Sequence, residues 1–113
     1  MTPWSRAPKY FAQPQVVDGV RFASKKEAKR WGELQLLARV GAITNLRRQV
    51  VFPLHAPGPD GAPVFVASYI ADAEYYEEPG GRIVEDVKGV KTPVYTLKRR
   101  WMAAEYGITI REV

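Results

Sequence analysis

The chain has 113 residues and no cysteine, enough for one domain with its own core, and the missing thiols remove disulfide scaffolds, zinc fingers, thiol nucleophiles and iron–sulfur ligation together. Lysine and arginine number 17 against 12 acids, a net charge of +5, the balance of a chain that meets a polyanion. No apolar stretch approaches the ~20 residues of a spanning helix, and the opening "MTPWSRAPKY" lacks a signal peptide's apolar region, so a soluble, cytoplasmic chain with no membrane partner is expected.

Residues 1–14, with three prolines and the cations Arg6 and Lys9, read as an extended arm ahead of a domain over 15–113. "QVVDGVRF" places Asp18-Gly19 between short apolar runs, the signature of a tight two-stranded hairpin. In "SKKEAKRWGELQLLARVG", Ser24 is the N-cap of a helix, Glu27 follows three residues on and Gly41 lies past the last turn. Positions 27, 31, 34 and 38 share one stripe, so Glu27 heads the face of Trp31, Leu34 and Ala38. Three strand-like segments follow: "LRRQVVFPL", "PVFVASYIADAEYY" and "RIVEDVKGV", the last two joined by the turn in "EEPGGR". The intervening "LHAPGPDGAP", with the only histidine, His55, reads as a loop. A lone histidine argues against His-metal-His nucleases and His-assisted triads, which leaves carboxylates, lysine and a hard oxygen-liking cation for any catalysis. "TPVYTLKRRWMAAEYG" is a second helix, with Thr92 as N-cap, Pro93 at its first position and Gly107 as its stop. "ITIREV" closes as a short β-branched strand. Helix, three strands, helix, strand is an α/β order in a single domain.

Acids inside apolar strands carry the functional signal. Alternation puts Val84, Asp86 and Lys88 on one face and Ile83, Glu85 and Val87 on the other. Asp72 interrupts the preceding strand on the parity of Ser68 and Ile70. If the hairpin pairs about its glycine turn, Asp72 and Asp86 are near neighbours, and two facing carboxylates either raise one pKa or recruit a cation. Lys88 beside them supplies the ammonium that orients water and offsets charge in phosphodiester hydrolysis. Each element also has a bland account. An acid-x-Lys tripeptide arises by chance about once in a chain of this length, and Glu27-Ala28-Lys29 is a second match. Asp72 can serve as a strand-end cap, Glu27 as the acid of a capping box, and Gln49 as an edge-strand residue.

The Ser-x-x-Glu helix start at Ser24 to Glu27, the acid ending an apolar strand at Asp72, and Asp86-Val87-Lys88 in the next strand together resemble the PD-(D/E)XK nuclease superfamily over Phe22 to Val113. The likeness is to short phage and prophage proteins and to phage junction-resolving endonucleases. It implies a restriction-endonuclease-like fold, a mixed β-sheet flanked by helices in αβββαβ order. It further implies a magnesium-dependent DNA endonuclease, with manganese able to substitute and branched DNA such as a four-way junction among its substrates. Asp72, Asp86, Glu27 and the Val87 carbonyl would be metal ligands, Glu27, Asp72, Asp86 and Lys88 catalytic, and Gln49, Tyr95 and Lys98 accessory. Lys25, Lys26, Lys29 and Arg30 on the first helix and Lys98, Arg99 and Arg100 on the second would contact DNA. Ala71 stands where the name-giving proline would be, and Asp86 replaces the commoner glutamate. Paired cuts need two sites and one chain supplies one, so a homodimer is the expected partner state. The rival readings are a non-catalytic DNA-binding module and a phage structural or packaging adaptor.

Overall fold

The computed structural model describes residues 14–113; the expected arm falls almost wholly outside the described residues. Strand β1 (Gln15–Val17) and β2 (Val20–Phe22) form the small antiparallel hairpin. Asp18 and Gly19 take φ of 51° and 77°, the left-handed pair that matches the twist of a two-residue hairpin. Helix α1 (Lys25–Arg39) follows, the Ser24 hydroxyl accepting the Glu27 N–H. Helix α2 (Pro93–Tyr106) is built the same way, its Thr92 side chain accepting the Tyr95 N–H. It is stopped by Gly107 at φ 66°, a conformation that costs glycine nothing.

A four-stranded mixed sheet lies between, in the order β3 (Ile43–Pro57), β4 (Pro63–Glu77), β5 (Gly81–Asp86), β6 (Arg111–Glu112). The first three strands are antiparallel and β6 runs parallel to β5 after the α2 crossover. The α/β, single-domain architecture is therefore the one the element order predicts. Among the described residues no helix is long and apolar enough to cross a membrane.

Three boundaries differ from expectation. His55 lies within β3, paired with Phe65, rather than in a loop. Pairing extends both strands to Pro57 and Pro63, because a proline at the end of a ladder removes no interior hydrogen bond. Strand β5 stops at Asp86, although Lys88 N–H still reaches the Val113 carbonyl. "ITIREV" contributes only two residues of strand.

The core divides in two. Leu34 and Ile43 pack with Ala73 and Tyr75, with Trp31 and Ala38 of α1 against them. Val50, Phe52 and Leu54 pack with Tyr69, Ala71 and Val84 and with Tyr95 and Met102 of α2. Leu34, Leu54 and Met102 bury essentially their whole side chains, each contributing roughly 1.5–3 kcal/mol. The buried apolar residues of β4 serve both cores: Tyr69 and Ala71 pack in the cluster with α2, Ala73 and Tyr75 in the cluster with α1. Asp72 sits at the seam between them.

Candidate active site

The pairing of β4 with β5 fixes the centre of the site. The ladder runs from Glu77 opposite Gly81 to Ala73 opposite Glu85, and Asp72 and Asp86 follow one step beyond its last pair. Their carboxyls lie within hydrogen-bond reach, and the Asp72 pKa is pushed up to about 8. Burial is the largest cause and the Asp86 carboxyl the next; the Val87 N–H opposes them, donating to Asp72 Oδ2 at 2.7 Å. Val87, expected to offer its carbonyl, meets Asp72 through its N–H. Asp86 is 3% exposed and accepts from the Tyr69 hydroxyl at 2.5 Å. Burial, and after it that bond, raises the Tyr69 pKa.

Lys88 Nζ lies 3.2 Å from Asp86 Oδ2 and 3.9 Å from the centre of the Tyr95 ring, gripped by an ion pair on one side and a π face on the other. The Tyr95 hydroxyl donates in turn to Glu112. Glu27 approaches from the first turn of α1. Gln49, held at a left-handed φ of 54° in β3, lies between: its Nε2 is 3.4 Å from both Glu27 Oε1 and Asp72 Oδ1. A non-glycine residue in this region costs of order 1–3 kcal/mol and persists where its surroundings demand it. Burial raises the Glu27 pKa against the opposing pull of Arg48. The structure thus brings Asp72, Asp86, Lys88 and Tyr95 together directly, and Glu27 across one glutamine. Among the described residues no group of three or more His, Cys, Asp or Glu is arranged as a metal cage; the convergent unit is an acid pair.

Glu85 points the other way. It is wholly buried, clasped by Arg30 Nε and Nη2 at 2.8 Å each and by the Tyr75 hydroxyl at 2.6 Å. This resolves the charges in the middle of β5: one acid serves the fold, the next the site. Arg30, expected at the DNA, holds this ion pair with Glu85. Lys26 donates to the Lys88 carbonyl, Lys98 to the Ser68 carbonyl, and Arg99 shares Glu112 with Lys91. Lys25, Lys29 and Arg100 make no ion pair among the described residues.

Two residues that sequence reasoning passed over adjoin the site. Tyr69 anchors Asp86, and Arg48 lies over the Phe22 ring at 4.4 Å, its Nη2 3.8 Å from Glu27. The available signal was alternation: in "LRRQ" the two arginines leave on opposite faces, Arg47 to Glu74 and Arg48 toward Glu27.

A family model spans almost the whole chain, matching residues 7–111. The chain belongs to the family described as "Protein of unknown function (DUF1064)". No curated protein and no solved structure matches it. The family description specifies no chemistry.

Proposed function

We propose that this protein is a magnesium-dependent DNA endonuclease that hydrolyses phosphodiester bonds, acting on DNA in the cytoplasm. The observation that carries the reading is the approach of Asp72 to Asp86, one step beyond the last β4–β5 pair, with Lys88 Nζ at 3.2 Å from Asp86.

The residues fit the ion. The donors are all oxygens, as a hard cation requires, and magnesium is commonly held by one or two carboxylates with waters and substrate phosphate completing its shell. Two carboxyls forced together in a half-buried seam are a site where a cation displaces a proton. Asp72 and Asp86 would hold it, with Glu27 adjoining. When bound, magnesium supplies Lewis acidity toward a phosphate oxygen and a more acidic water.

The chain's own residues do the rest. Hydrolysis builds negative charge on the phosphate oxygens as water attacks and the alkoxide departs, so a fixed donor aimed at that charge lowers the barrier. Lys88 is such a donor, immobilised by Asp86 and Tyr95. Tyr69 keeps Asp86 in one orientation, and Gln49 spaces Glu27 from Asp72.

The test is incubation of the pure protein with plasmid, linear, single-stranded and four-way-junction DNA, in magnesium, in manganese and in chelator. Cleavage in either metal, absent in chelator and strongest on the junction, is the expected result. Intact DNA in every arm, from folded protein that still binds it, would make this a DNA-binding module.

A further inference from the structure

A groove of about 530 Å3 opens beside the acid pair, lined by Arg21, Arg48 and Gln49 together with Glu27 and Asp72. Acids alone would repel a phosphodiester strand, so the position of the two arginines matters. Arg48 is held in place without any ligand. Its guanidinium lies 4.4 Å over Phe22, and Nη2 donates to the Arg21 carbonyl at 2.8 Å. The contact with Glu27, at 3.8 Å, is long for a charge-assisted hydrogen bond. Among the described residues, most of the five N–H donors that the Arg48 guanidinium carries therefore have no partner. Arg47 differs: it leaves on the opposite face, 3.1 Å from Glu74. The β1–β2 hairpin supplies both the aromatic platform and Arg21.

We propose that the Arg21–Arg48 wall is a backbone-phosphate subsite, with Arg48 forking two N–H groups onto a phosphate of the DNA strand that leads into the acid pair. The assignment rests on the nuclease reading and adds the direction of strand entry: along the small hairpin, past Gln49, to Asp72. A planar fork fixed over an aromatic ring suits a phosphate better than a mobile lysine, because less side-chain freedom is lost when the two bonds form.

The test is fluorescence anisotropy of a labelled duplex with the full chain, with calcium in place of magnesium, across a salt series. Arg48→Met keeps the apolar stem over Phe22 and removes the charge. Arg21→Met keeps the backbone carbonyl that anchors Arg48. Each is expected to raise Kd several-fold at low salt and to flatten the slope of log K against log salt by about 1, the loss of one phosphate contact. Arg48→Lys should restore the slope but not the whole affinity. Arg39→Met, at the far end of α1, is expected to behave as wild type. A merely structural Arg48 would move the melting temperature and leave the slope alone. If wild type binds and both folded Met variants share its slope and Kd, the subsite is overturned while the nuclease reading stands. If wild type binds no DNA, both fall. Should Arg48→Met not fold, Arg21→Met decides by itself.

Discussion

Asp72 and Asp86 have similar side chains in one seam, yet they do different things. Asp86 is anchored by Tyr69 and Lys88, whereas Asp72 has the Val87 N–H and a pKa of about 8. A carboxyl whose folded pKa exceeds its unfolded value binds extra proton in the native state between the two values. Its contribution to stability is fully present below the unfolded pKa and is lost as pH rises through the folded one. In chelator, the melting temperature of wild type should therefore fall between about pH 5 and about pH 8 more steeply than that of Asp72→Asn, which keeps an acceptor for Val87 N–H. Parallel slopes would remove the buried acid pair. With magnesium the order reverses, since the ion displaces the proton and binds the folded state alone, so the gain in melting temperature should grow with pH. Asp86→Asn should abolish cleavage with the fold intact. Lys88→Met should lower kcat by roughly 10²–10³, the scale of losing one donor to transition-state charge, yet keep the magnesium-induced rise in melting temperature. Loss of that rise would make Lys88 part of the metal site's structure instead.

At the scale of the element, β5 is tied to α1 by the Arg30–Glu85 clasp and to α2 through Val84. Removing one partner of a buried pair leaves the other charge uncompensated, at a cost of about 3–5 kcal/mol. Arg30→Met should lose stability on that scale in urea denaturation, while the exposed Lys29→Met stays within about 0.5 kcal/mol of wild type. Comparable stability for the two would deny the clasp its role. The elements most legible in the sequence are those fixed locally. Ser24, Asp18-Gly19, Thr92-Pro93 and Gly107 each act on neighbours within a few residues, and their caps and turns are as the spacing predicts. The approach of Asp72 to Asp86 was legible too, because counting outward from the Gly80-Gly81 turn sets the register. The length of β3 was not: His55 and Pro57 read as loop, and only cross-strand pairing with β4 makes them strand. Arg30 and Arg48 escaped for a similar reason. Their partners, Glu85 and Phe22, are distant in the chain, and nothing in a run of cations tells which one turns inward.

Over the whole molecule, much of the positive charge is answered internally: Glu74 takes Arg47 and Arg82, Glu112 takes Lys91 and Arg99, Glu77 takes Arg111, and Glu85 takes Arg30. The net charge of +5 therefore leaves its field to cations outside these pairs, Lys25 and Lys29 on α1 and Arg100 on α2 among them. Association with DNA should weaken steeply with salt through that field. Each chain brings one acid pair, and a single pair can cut only one strand per encounter. A homodimer, with two pairs related by a two-fold axis, cuts both. Supercoiled plasmid separates the cases. A dimer should yield linear product early, at a rate that climbs with the square of protein concentration below the dimer's dissociation constant, and should sediment at twice the chain mass. A monomer would convert the plasmid wholly to nicked circles before any linear form, at a rate linear in protein. The second pattern, with a single-chain mass, would reject the dimer and leave a nickase built on the same seam.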